Sequence, residues 1–248
     1  MTTIIPKVNT GIQQLDEMLF GGLYQGSATL LEGAAGTGKT NLGVQFLMEG
    51  MQKGESALIV TFEEYPEQYY SCALELGWDL KAMEEKGLLE LIFTTPENFM
   101  QMVDEDDQTL SQIIEEKDIK RALIDSVTHF EKLAPDQGNL RHIETNVVNF
   151  FKREEITTLL LKENKSILGG WNVSNNKVSF IVDCYIILRY LELESEIKRA
   201  IMVLKMRGSN HQKEIRQYEI TDKGIVVGEI FKGISGIFLG TGRPSEKK

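Results

Sequence analysis

Cysteine is scarce in this chain: Cys72 and Cys184 are the only two among 248 residues, far apart and with no metal-ligand spacing around either. A disulfide framework and a zinc site are therefore not expected, and two buried thiols in a reducing compartment are. Long apolar runs are missing too, none nearing the roughly eighteen residues needed to cross a bilayer. The opening MTTIIPKVNTGIQQLDEML has no basic stretch followed by an apolar core, so no leader is expected and the cytoplasm is the expected location. Basic charge is also short: 27 Lys and Arg face 37 Asp and Glu, a net charge of −10. Such a field repels nucleic acid and acidic membranes.

What the chain does have is enough apolar material, 42% of residues, for a packed core. Its length suits one α/β domain, expected over residues 1–242, with a disordered tail over 243–248. Residues 33–40 read GAAGTGKT and meet every fixed position of the nucleotide-phosphate loop pattern G-x-x-x-x-G-K-[ST]. An apolar strand pattern, Ala28 to Glu32, runs into Gly33, and a helical pattern, Leu42, Val44, Phe46 and Leu47, leaves from Thr40. That setting separates a working motif from a chance match. Glycines at 33, 36 and 38 let consecutive N–H groups turn inward toward phosphate oxygens, and the helix start adds its positive end. The candidate nucleotide-binding residues are thus Gly33, Ala34, Ala35, Gly36, Thr37, Gly38, Lys39, Thr40 and Asn41. Lys39 is expected on the β- and γ-phosphates and Thr40 on Mg²⁺.

Two further strand ends carry carboxylates. Ser56 to Phe62 reads as a short buried strand that stops at Glu63 and Glu64. Ligands of open α/β sheets gather outside the carboxyl ends of strands, and side-chain alternation lets one glutamate of the pair face the nucleotide. A carboxylate there could orient the attacking water. A solvated acidic helix start ahead of Tyr65-Pro66 accounts for the pair equally well. The run Arg121-Ala122-Leu123-Ile124 ends in Asp125, 85 residues beyond Thr40. With Thr40 and Glu63 it makes the candidate Mg²⁺ set, because hydroxyl and carboxylate oxygens are the ligands this cation takes.

Elsewhere the pattern predicts supporting structure. Helices are expected over Ile12 to Leu19, from Pro66 to near Gly77, over Leu110 to Lys117 and over 140–155; strands are expected over Leu88 to Thr94 and Ile156 to Leu161. Trp78 reads as packing, and Asp104 to Asp107 as solvated loop. Lys162 to Lys177 is polar and rich in Gly, Asn and Ser, the composition of a mobile loop. Four strands then follow in sequence, over 178–190, 197–205, 214–220 and 225–227, with a tight turn at Asp222-Lys223-Gly224. The fold expected is a mostly parallel sheet flanked by helices and extended by an antiparallel meander.

With these motifs in order, the chain resembles single-domain members of the KaiC-like branch of RecA-fold P-loop ATPases. The likeness runs from about Val8 to Gly242 and rests on Thr10-Gly11-Ile12, Leu15-Asp16, Gly21-Gly22-Leu23, GAAGTGKT, Thr61-Phe62-Glu63-Glu64, Leu123-Ile124-Asp125-Ser126-Val127 and Val203 to Gly208. It implies hexameric rings that clamp ATP between neighbouring subunits and couple its hydrolysis, slowly, to a partner protein. It implies Glu63 as the water-activating base and Glu64 as its support. It also implies that Lys205, Met206 and Arg207, with His211 and Lys213, reach the next subunit's nucleotide. Lys205 and Arg207 would there neutralise charge on the transferring phosphoryl group, and Asp222 would lie near the base or ribose of that same nucleotide. Two-domain members carry adjacent Ser and Thr autophosphorylation sites where this chain reads Val178-Ser179-Phe180. Phe180 has no hydroxyl, so Ser179 alone could accept phosphate, which argues against a timekeeping phosphorylation cycle and leaves ATP hydrolysis untouched. A nucleotide-gated module with Ser179 kinase activity and a recombinase-like DNA motor are the alternatives, the second disfavoured by the net charge.

Overall fold

The computed structural model describes residues 5–104, 108–164, 181–232, 234–235 and 243–244. Lys7–Val8 (β1) pairs antiparallel with Leu23–Tyr24 (β2) across the short helix Gln13–Met18 (α1). The chain then runs through Ala28–Gly33 (β3), Lys39–Met51 (α2), Ser56–Thr61 (β4), Pro66–Glu75 (α3), Leu80–Glu85 (α4) and Leu89–Phe93 (β5). Pro96–Val103 (α5), Thr109–Glu116 (α6), Ile119–Asp125 (β6), a 3₁₀ turn over Val127–Lys132, Gln137–Arg153 (α7) and Thr157–Glu163 (β7) follow. Cys184–Leu193 (β8), Glu196–Met206 (β9), Arg216–Thr221 (β10) and Gly224–Ile230 (β11) complete the main sheet.

These strands form one nine-stranded sheet in the order β11-β10-β9-β8-β3-β7-β6-β4-β5. From β8 to β5 neighbours run parallel; from β8 to β11 they are antiparallel. This is the parallel sheet with a meander that the sequence predicts, a RecA-like arrangement. The parallel strands are buried on both faces, so they read as continuous apolar runs. Alternation assigns their side chains: Leu31, Ile59 and Leu123 enter the core beneath α1 to α4, while Leu30, Leu58 and Ile124 enter the opposite core beneath α5 to α7. Helix α2 lies close against the sheet because residue 43 is glycine; a Cβ there would stand 2.5 Å from Leu123 Cδ1.

Trp78 packs in the first core as predicted. Two helices absent from the sequence reading had legible starts: the Asp79 side chain accepts from Ala82 N–H ahead of α4, and Thr95 accepts from Asn98 N–H ahead of α5. Of the two thiols expected to be buried, only Cys184 is; Cys72, on α3, is exposed. The tail expected to be disordered begins with Arg243–Pro244, which pair antiparallel with Ile234–Ser235. Ser179, Phe180 and most of the polar 162–177 stretch lie outside the described residues. Among the described residues no helix is long and apolar enough to cross a membrane.

Candidate functional site

The phosphate loop leaves the carboxyl end of β3, between β7 and β8, and passes directly into α2. Gly36 and Gly38 hold positive φ, 74° and 85°. Space is as tight as conformation. A Cβ at Gly36 would lie 2.9 Å from the Tyr190 hydroxyl, and one at Gly38 would lie 2.7 Å from Ile220 Cδ1. Inside the loop, Thr37 Oγ1 donates to the Ala34 carbonyl at 2.7 Å, and Lys39 Nζ donates to the same carbonyl at 3.0 Å. From outside, the buried Tyr218 hydroxyl of β10 donates to the Thr37 carbonyl at 2.5 Å. Burial pushes the Lys39 ammonium below its ordinary value, against the pull of Glu163, Asp125 and Glu32. A cation so placed gains most from a phosphate partner.

Thr40, the second helical residue, donates from Oγ1 to Asp125 Oδ2 at 2.8 Å. Asp125 ends β6, two strands from β3, so the sheet itself brings the hydroxyl and the carboxylate together. Hard oxygen donors in this pairing fit Mg²⁺, and when bound that cation would neutralise charge on the β- and γ-phosphate oxygens. The glutamates at the end of β4 part company. Glu64 shares a cleft with Thr40, Asn41 and Tyr69. Desolvation, then Asp125 and Glu63, raises its carboxyl above the ordinary range. Glu63 stands out toward solvent, and its Oε1 meets His129 Nε2 at 3.2 Å. Its role as base rests on the resemblance, and its place in the metal set on its being a carboxylate at this strand end.

Two participants were not legible in sequence. Tyr69 of α3 donates its hydroxyl to Asp125 Oδ2 at 2.5 Å, and burial with the neighbouring carboxylate charge raises the phenol well above its usual value, so it stays a donor. His129, seated beside the Phe62 ring, is the other. The available signal was weak: each follows a motif by only a few positions, Tyr69 after Glu63-Glu64 and His129 after Asp125.

Lys205 and Arg207 lie at the opposite edge of the sheet. Met206 is level with Cys184, and Cys184 with Thr29 near the start of β3, whereas the phosphate loop begins at Gly33. At ~3.3 Å of rise per residue, about 13 Å of strand separates the two levels. Lys205 Nζ donates to the Val182 carbonyl at 2.8 Å, and burial, with Arg207 next, lowers its ammonium. Beside them Asp183 accepts from Lys152 and from the Ala28 N–H. His211, lowered by burial and by Lys213, continues this edge, where Gln212 N–H meets the Met18 carbonyl.

Asp222 lies at the other edge of the sheet from Lys205 and Arg207. It tops the β10–β11 turn, next to strands whose Ile220 and Ile225 press on Gly38. It therefore lies at the carboxyl edge, whereas Lys205 and Arg207, which the resemblance assigns to one nucleotide together with it, lie at the amino edge. The reason is register: β10 starts opposite Ile201 and climbs toward the carboxyl edge, while β9 descends away from it.

A family model described as "ATPase: KaiC" matches residues 8–232. Among curated proteins, the chain is 34% identical over 240 residues to the circadian clock protein KaiC3 of Synechocystis, covering 95% of this chain and 46% of that protein. It is 36% identical over 235 residues to the circadian clock oscillator protein KaiC of Thermostichus vulcanus, 95% and 45% of the two lengths. Against the KaiC of Acaryochloris marina it is 37% identical over 235 residues, 95% and 44%. The chain thus spans somewhat less than half the length of these relatives.

Proposed function

The chain belongs to the KaiC family of ATPases, and from that premise we propose that it hydrolyses Mg·ATP slowly at sites shared between the subunits of a hexameric ring, passing its nucleotide state to a partner protein. The observation that carries the reading is the convergence of Lys39, Thr40, Asp125 and Glu64 at one end of the sheet, with Thr40 in direct contact with Asp125. The loop amides and Lys39 hold the phosphates. Thr40 and Asp125 hold the cation. Glu63 orients the attacking water, with His129 and Glu64 fixing its surroundings. Cationic help of the arginine-finger kind has to come from elsewhere, and the separation of Lys205 and Arg207 from their own loop supports delivery to a neighbour. Asp222 lies near the base or ribose of the nucleotide that Lys205 and Arg207 reach.

The printed names of the relatives concern circadian clocks; for this chain the reading is nucleotide-driven regulation without a two-site phosphorylation cycle, since Phe180 removes one hydroxyl. Light scattering after size exclusion, with and without ATP and Mg²⁺, is the primary test. A particle of six chains that forms or persists with ATP is the expected result, and a monomer under all conditions refutes the shared site. Lys39→Ala should lose at least about a hundredfold in ATP affinity, ~2.7 kcal/mol; unchanged binding refutes the phosphate loop itself.

A further inference from the structure

Resting on that reading of the metal site, we propose that Tyr69 is a positioning residue for Asp125, the carboxylate on which Mg²⁺ binding depends. One carboxylate oxygen, Asp125 Oδ2, receives two hydroxyl donors: Thr40 Oγ1 at 2.8 Å and the Tyr69 hydroxyl at 2.5 Å. The two differ in what holds them. Thr40 is half-buried at the start of α2, and its oxygen is the one the cation would take. Tyr69 is 2% exposed, packed into the core beneath α3 with Ala73 and Trp78, so its hydroxyl sits where packing puts it. Thr61 Oγ1 flanks the same hydroxyl. Tyr69 is thus a fixed donor to a carboxylate borne by the last residue of a strand.

Pinning Oδ2 fixes the plane of the carboxylate relative to Thr40. An opposing effect exists, because a donor on Oδ2 also withdraws negative charge from it. Orientation is expected to win: partners that orient metal-binding side chains cost ~10- to 100-fold in metal affinity when removed. Tyr69 also sits five residues after Glu64, on the helix that Glu63 and Glu64 lead into, so the same bond ties that helix to the end of β6.

The test uses Tyr69→Phe, which keeps the ring and removes only the hydroxyl, beside Tyr69→Met, which fills similar space. A fluorescent ADP analogue is bound by the full chain across a Mg²⁺ titration and again in EDTA, and ATP hydrolysis is measured across the same Mg²⁺ range. The Mg²⁺ needed for half-maximal effect should rise about tenfold in both variants. ADP binding in EDTA should stay within about twofold of the parent, and kcat should recover at saturating Mg²⁺. An unchanged or lower Mg²⁺ requirement overturns the assignment. So does equal weakening of ADP binding with and without Mg²⁺, the signature of a merely structural tyrosine. A parent whose nucleotide binding and hydrolysis ignore Mg²⁺ overturns the site reading itself, and the role of Tyr69 falls with it.

Discussion

The two edges of the sheet are built to different rules. At the carboxyl edge, polar groups converge from separate elements: the loop after β3, the start of α2, the ends of β4 and β6, and the face of α3. At the amino edge, Lys205 leans on a backbone carbonyl, and Lys152 is paired with Asp183. The first edge can hold a polyphosphate and a cation with its own residues. The second offers cations without a phosphate-binding loop. On the proposed shared-site reading, each edge supplies what the other lacks.

The sharpest way to break this contrast is Arg207→Ala. Turnover should fall ~10³- to 10⁵-fold, the range for arginine-finger groups, while ATP affinity measured by fluorescence stays near that of the parent. Mixing Arg207→Ala with Lys39→Ala chains should restore activity above either alone, since some contacts then pair an intact loop with an intact cationic edge. A mixture no better than its parts defeats the shared site. Next in size, Glu63→Gln should slow hydrolysis by ~10²- to 10⁴-fold with ATP binding retained, which a single-turnover assay separates from loss of binding.

A third prediction concerns what supports the carboxyl edge. Lys162, at the end of β7, meets Glu144 of α7 at 3.2 Å, both nearly excluded from solvent. Lys162→Met strands a buried carboxylate and should cost ~3–5 kcal/mol in denaturant unfolding, whereas adding Glu144→Gln should recover most of it. Burial raises the Glu144 carboxyl and Lys162 pulls it partly back. A carboxyl whose folded value lies above its unfolded one stabilises fully below the unfolded value and loses that contribution as pH rises through the folded one. Removing Lys162 lifts the folded value further, so the deficit relative to the parent should open as pH rises past the parent's raised folded value and grow until the variant's own is passed. Smallest, Tyr218→Phe frees the Thr37 carbonyl and should cost ~1 kcal/mol. It should also weaken ATP binding a few-fold, showing that the meander braces the loop; unchanged affinity confines its role to folding.

Much of the carboxyl edge was legible in sequence because its chemistry demands fixed residue types at fixed places. The loop allows no side chain where Tyr190 and Ile220 approach it, so its glycines announce themselves. Asp125 was visible as the charge that stops an apolar run, and alternation predicted that Glu63 and Glu64 would point differently. What stayed hidden depends on contacts between distant segments. Tyr69 meets Asp125 across 56 positions, and nothing in either neighbourhood specifies the pairing. The parting of Asp222 from Arg207 follows from strand register, set by the pairing of β9 with β8 and β10, which local pattern does not encode. Cys72 was misjudged because helix α3 buries little besides Tyr69 and Ala73, leaving a thiol at the surface.

The placement of the loop and the cations on opposite edges also limits the symmetry of any assembly that joins them. A two-fold pair can mate the two unlike edges only reciprocally, loop to cation and cation to loop across one axis, and it is then closed at two copies. A head-to-tail contact mates them once per interface and leaves one unused edge at each end until rotation closes the circle or the chain of copies runs on as a filament.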